Sequence, residues 1–206
     1  MARNPYALGL AIATLLSGAA FGQTSYPMLM SLKPVAAQVG QTSELTIQSR
    51  YSLFGADQVL VSGEGVSGEI VHPEVKEGDK EKTPNLQTMK VKFTIAPDAL
   101  PGVRDFRVAT PRGVSTLGQL VIVRGPVVAE SAPNDDADKA LQVTVPATIC
   151  GTIEKAEDVD FYKFSVKKGQ KLSFNVRCMR LQDRIHDLQQ HADPILTIRT
   201  AAGVTV

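Results

Sequence analysis

Between positions 88 and 95 the chain alternates without a break, with Val91, Phe93 and Ile95 opposed to Lys90, Lys92 and Thr94. Successive side chains of an extended backbone point to opposite faces, so such a run has one apolar and one wet face and belongs in a half-buried sheet. Leu45 and Ile47, set against Thr46 and Gln48, repeat the pattern. From Tyr26 to Val123 strands are predicted near 29–35, 44–49, 58–62, 66–71, 88–95, 105–109 and 118–123. The breaks fall at Pro34, Gly40, Gly55, Gly63, Gly65, Pro73, Pro97, Pro101, Gly102, Pro111 and Gly113. About seven strands with one apolar face each can bury those faces only against one another, which predicts a two-sheet sandwich. The polar segment 76–85, KEGDKEKTPN, is expected to be an exposed loop.

A length of 206 residues suits one large or two small domains. Aromatic residues make up 5% and Trp is absent, so the cores are expected to be built from Val, Ile and Leu with a few Phe and Tyr anchors. The net charge of +1, from 22 basic and 21 acidic residues, gives no electrostatic footprint for nucleic acid or an anionic membrane. The opening MARNPYALGLAIATLLSGAAFGQ places one cation, Arg3, before an apolar run from Ala7 to Leu16 and small residues ending in Gly22. This is the pattern of a secretory signal peptide spanning 1–22; the alternative, a membrane anchor, needs roughly 20 apolar residues. No later stretch approaches that length, so no membrane insertion is expected after signal removal, and export to the medium, the cell surface or the periplasm is.

From 124 to 141 the composition shifts to RGPVVAESAPNDDADKAL, read as an acidic, Pro-containing linker held open by charge repulsion. Strands are expected again at 143–153, 160–166, 171–178, 195–200 and 203–206. Tyr162, Phe164 and Val166 share one face and Leu172, Phe174 and Val176 form a buried set. Leu181, Ile185 and Leu188 predict a short amphipathic helix within 179–191, ended by Asp193-Pro194. The fold class is therefore all-β, with two consecutive β-sandwich domains at 26–123 and 142–206.

The string LKPVAAQVGQTSELTIQSRYSLFGADQVLVSGEGV resembles the opening of immunoglobulin-like TIG/IPT domains, in which a Pro, a later Gly and a Gly-Ala before a Val-rich strand recur. The run ICGTIEKAEDVDFYKFSVKKGQKLSFNV followed by ADPILTIRTAAG resembles the bacterial pre-peptidase C-terminal (PPC) domain. It shares with that family a strand ending in Gly-x-Ile, an Asp-Val-Asp-Phe-Tyr-x-Phe core, a Lys-Gly-Gln turn and an Asp-Pro-x-Leu-x-Ile strand. The resemblance implies a jelly-roll-type sandwich of the kind appended to secreted proteases and large exported proteins. Such domains continue with a further turn and two or three strands, so the second sandwich is expected to be truncated at Val206.

The PPC resemblance also implies a calcium site, with Glu130, Asn134 and Asp135 of the linker and Thr152, Glu157 and Asp160 of the following turn as ligands. Ala132 departs from the pattern by removing one acid. The competing reading is that Asp135, Asp136 and Asp138 solvate the linker while Asp158 and Asp160 make turn hydrogen bonds. For Cys150 and Cys178 an exported setting favours a disulfide, worth roughly 3–4 kcal/mol in the chain-entropy model. Strand parity opposes it, because Cys178 follows the buried series whereas Cys150 lies opposite Ile149. His186, Asp187, His191 and Asp193 invite a zinc reading. The five-residue histidine spacing does not stack on one helix face, and solvated loop residues fit better.

No Gly-x-Ser-x-Gly elbow occurs, and Gly63, Gly65 and Gly68 lie between strands without the following helix that a phosphate cradle uses. The sequence thus describes a non-catalytic secreted or cell-surface binding or spacer module whose partner is an extracellular polymer or protein. Two alternatives stand beside it: an accessory region of a secreted peptidase or other hydrolase, and a carbohydrate-binding module for which Tyr26 and Tyr51 are the available stacking aromatics.

Overall fold

The computed structural model describes residues 26–72, 86–131, 133–178 and 194–206. The signal-like segment 1–22, the whole loop 76–85, Ala132, the helix expected within 179–191 and the histidine-containing group at 186–193 lie outside the described residues.

The first unit holds β1 (Leu29–Lys33), β2 (Ala36–Gln38), β3 (Thr42–Ser49), β4 (Gln58–Val61), β5 (Val66–Val71), β6 (Thr88–Ile95), β7 (Gly102–Thr110), β8 (Gly113–Val114) and β9 (Gly118–Val123). The strand order is β1-β3-β6-β5-β4-β7-β9-β2, with β8 hairpinned onto β7. Only the pair Val59↔Gly68 joins β4 to β5, so the ladder folds over there into two layers, β1-β3-β6-β5 and β4-β7-β9-β2. That is the four-plus-three immunoglobulin arrangement with its first strand shared between sheets. The switch falls at Pro34, which lacks an N–H and cannot carry a ladder bond. Before it β1 runs antiparallel to β3, and after it β2 runs parallel to β9.

The alternation in 88–95 is realised residue for residue, because β6 is central and pairs with β3 on one side and β5 on the other. Its buried series meets the opposite layer at Phe93 and Phe106, whose rings pack edge to face at 5.4 Å. Leu45, Ile47, Val91, Val108, Leu120 and Ile122 complete a core fed by both sheets. Burying each such side chain contributes about 1.5–3 kcal/mol. Gly118 is placed by this packing, since a Cβ there would collide with the Phe106 ring.

The second unit departs from the expected long strands. Its regular elements are β10 (Val127–Ala129), a 3₁₀ turn (Ala137–Lys139), β11 (Leu141–Gln142), β12 (Thr148–Cys150) and β13 (Tyr162–Lys163). A strand extends only as far as a neighbour takes up its N–H and C=O groups. Here the partners are the short parallel segments β10 for β12 and β11 for β13. The stretch expected to be an open linker is therefore folded into the unit it precedes, because its Val127, Val128 and Leu141 supply strand partners that the acidic residues between them do not disrupt. The expected strand at 171–178 is not formed. Val166, Phe174 and Val176 are exposed rather than buried, Phe174 leaning on Phe164 at 5.7 Å. Arg199 and Thr205 form an isolated antiparallel bridge where two terminal strands were expected.

Candidate functional site

The densest polar cluster forms where the folded connector crosses the turn before β13. Glu130 follows β10 and its own N–H donates to the Cys150 carbonyl at 2.9 Å, so the β10–β12 ladder aims its side chain across the end of β12. There its Oε1 accepts from Asn134 Nδ2 at 2.9 Å and from the Tyr162 hydroxyl at 2.7 Å, while its Oε2 accepts from the Thr152 N–H at 2.8 Å. Asn134 is 2% exposed, and its carbonyl in turn accepts the Phe161 N–H at 2.8 Å. One carboxylate thus ties together the connector, the residue after Gly151 and the first residue of β13.

The Asp160 carboxyl lies against that of Glu130. Two carboxyls in such contact share a proton, and their surroundings decide which holds it. Burial alone would raise Glu130, but the donors Tyr162, Asn134 and Thr152 outweigh it and hold the group below its ordinary range. Burial, followed by the Glu130 charge and hydrogen bond and then by Asp158 and Asp135, pushes Asp160 up to about 6. Asp160 is accordingly the member that keeps a proton to higher pH and gives it up as pH rises through about 6. Burial and the adjacent Glu130 likewise push the Tyr162 hydroxyl upward, so it stays a donor.

Of the six expected calcium ligands, Glu130, Asn134, Thr152 and Asp160 converge and the other two do not. Asp135 is exposed and takes Lys155 Nζ at 3.4 Å. Glu157 is an exposed turn residue at a φ of 60°, displayed to solvent by the turn itself. Thr152 offers Glu130 its backbone N–H. A carboxylate has about four acceptor positions, and three of those of Glu130 are claimed by Asn134, Tyr162 and Thr152. Among the described residues no group of three or more His, Cys, Asp or Glu is placed to hold an ion together. Calcium needs six to eight oxygens with lone pairs to give. As placed, this set does not fit it, because most acceptor positions of its central carboxylate already receive donors from the chain.

The expectation for Asp158 as a turn acceptor holds, with Glu154 N–H donating to Oδ2 at 2.8 Å. Tyr162 and Gly151 are the members that sequence reasoning assigned to packing alone. Tyr162 is only half-buried and its hydroxyl is part of the cluster. A Cβ on Gly151 would lie 2.7 Å from that hydroxyl and 3.2 Å from Glu130 Oε2, so the close approach requires a glycine. The sequence signal was present in the Gly-x-Ile strand end.

Cys150 and Cys178 are not joined in a disulfide; Cys150 is half-buried on β12 and Cys178 is exposed. Burial pushes the Cys150 thiol up, partly offset by the backbone of Ala36 and Val35 within hydrogen-bond reach. That contact joins the second unit to β2 of the sandwich.

No family model matches the chain. No curated protein matches it either. Among solved structures it is similar to the Bacteroides ovatus mixed-linkage glucan utilization locus SGBP-B in complex with a mixed-linkage heptasaccharide, at 11% identity and a TM-score of 0.34. That match covers 58% of this chain and 25% of the other, so the chain spans a quarter of that protein's length. It is also similar to the Dscam1 Ig7 domain, isoform 9, at 15% identity and a TM-score of 0.24, covering 47% of this chain and 94% of that one. The class to which the chain belongs, an all-β protein with an immunoglobulin-like sandwich followed by a second β unit, rests on the strand order itself.

Proposed function

We propose that this chain is a non-catalytic binding and spacer region of an exported protein, with its two β units coupled through a folded connector. The observation that carries the reading is the placement of β10. It pairs in register with β12, it lies against β2 of the sandwich, and the Cys150 thiol at the end of β12 meets the backbone of Val35 and Ala36. A connector bonded on one side and packed on the other transmits orientation between units, which a spacer needs and a loose tether does not provide. The residue order Gly151-x-Ile153, Asp158 to Phe164 and Lys168-Gly169-Gln170 supports a PPC-like reading of the second unit, and the leader-like pattern of 1–22 supports export.

The partner would be an extracellular polymer or protein. Tyr26, 52% exposed, and Tyr51, whose ring lies 5.8 Å from the Arg50 guanidinium, offer a polymer an aromatic surface on the sandwich. Hydrogen exchange on the full chain tests the coupling: the Glu130 and Thr148 amides, bonded to Cys150 O and Pro126 O, should exchange as slowly as core amides of β9. Fast exchange at both would sink it. Co-sedimentation with insoluble polysaccharides and with collagen tests the partner. Retention on none of them removes the binding half of the reading and leaves the spacer.

A further inference from the structure

We propose that Glu130 is the hub of a metal-independent clasp, in which hydrogen bonds from Tyr162, Asn134 and Thr152 fasten the connector at the place where the resembled domains use a divalent cation. The geometry that leads there is the direction of the bonds. A bridging cation gathers oxygen lone pairs from several segments, so each segment must present acceptors. Here the connector presents the acceptor, braced by the amide N–H₂ of its own Asn134, and the other two segments present donors: a hydroxyl from Tyr162 and a backbone N–H from Thr152.

The linkage between segments is thus the same as a cation would give, with the polarity of the two arms from outside the connector reversed. Hydrogen bonds to a charged acceptor contribute more than neutral ones. A buried Asn134, with its carbonyl held by Phe161 N–H, locks the arm that belongs to the connector. Gly151 leaves the space in which hydroxyl and carboxylate meet, and any larger residue would fill it. The remaining acids are separately occupied, Asp135 by Lys155 and Asp158 by the Glu154 N–H.

The clasp holds whatever the module binds, and its test differs from the exchange test of the coupling, so either can fail alone. The melting temperature of the full chain is measured in EDTA and in millimolar calcium chloride, and limited proteolysis within 124–142 is followed for wild type, Glu130→Gln, Tyr162→Phe and the double variant. The expected result is an unchanged melting temperature, cleavage at least about tenfold faster in each single variant, and a double variant little faster than either single. If Glu130→Gln fails to fold, Tyr162→Phe, which removes one hydroxyl, carries the test by itself. A calcium-dependent rise in the wild-type melting temperature overturns the proposal, as does wild-type cleavage in Tyr162→Phe or strictly additive effects in the double variant.

Discussion

The Tyr162 hydroxyl donates to Glu130 Oε1 over 2.7 Å, joining two residues 32 positions apart directly above the Cα of Gly151. The three are one packing unit. Chain direction, side-chain reach and the absence of a Cβ must all agree for the bond to form, which makes Gly151 its most sensitive point.

Gly151→Ala is therefore expected to destabilise the second unit by about 1–3 kcal/mol, the usual cost of forcing an extra carbon into a filled site. The added Cβ would sit 2.7 Å from the Tyr162 oxygen and 3.3 Å from Glu130 Oε1, so ring or carboxylate must move. Hydrogen exchange should place the loss at 127–163 and leave β3 and β6 of the sandwich protected. A variant that melts and exchanges as wild type removes the packing argument.

The carboxyl pair predicts an uneven pH profile. Asp160 is raised from 3.8 to about 6 by burial and by Glu130, so the folded state holds that proton more tightly than the unfolded chain. Its contribution is complete at low pH and is lost as pH rises through about 6. Glu130 is lowered from 4.5, so its contribution is present above 4.5 and is lost as pH falls through its folded value. The groups facing the pair are Asp158 and Asp135, with Lys155 bridging them at 3.9 and 3.4 Å. The melting temperature of the second unit should peak between the two values and fall on both sides. Asp160→Asn should flatten the alkaline fall; a profile that is flat in wild type from pH 5 to 8 contradicts the shared proton.

The sandwich was legible because its signal is redundant. Each of Val91, Phe93 and Ile95 repeats the same statement about which face is buried, and β6 has neighbours on both sides that require it. The second unit offered the same period in Leu172, Phe174 and Val176, yet alternation says only which side chains share a face and not whether a partner strand exists to make that face an interior. The folding of 124–141 was hidden for the opposite reason. Its acids and prolines suggest an open tether, while the residues that pair, Val127, Val128, Ala129 and Leu141, form runs too short to read as strands. Within the site, the acids could be named from sequence, but the reversal of roles could not. Whether Glu130 receives donors or offers lone pairs depends on Tyr162 and Gly151 arriving from another strand.

Glu157 gives a test of a different kind. Its φ of 60° is a left-handed conformation that costs a non-glycine residue about 1–2 kcal/mol, part of which glycine gives back through its larger unfolded-state entropy. Its side chain is exposed and takes no part in the Glu130 cluster. Glu157→Gly should accordingly raise the stability of the second unit by up to about 1 kcal/mol in a chemical denaturation series. A loss of stability would mean that the carboxylate makes a contact essential to the turn.

The two cysteines should be distinguishable by rate. Cys178 is exposed, whereas Cys150 is half-buried on β12 with its thiol pushed up by burial, and it is the thiolate that reacts. Treatment of the native chain with an alkylating agent, without reductant, should add one mass increment quickly at Cys178 and a second slowly at Cys150. Unfolding should bring the slow site to the rate of the fast one. Because the Cys150 thiol lies against the backbone of Val35 and Ala36, its protection also reports on the contact between the second unit and β2. Tyr162→Phe, which loosens the connector beside β12, should speed the slow step without changing the fast one. If the native chain takes up no label until a reductant is added, the cysteines are bridged and this assignment of two thiols is wrong.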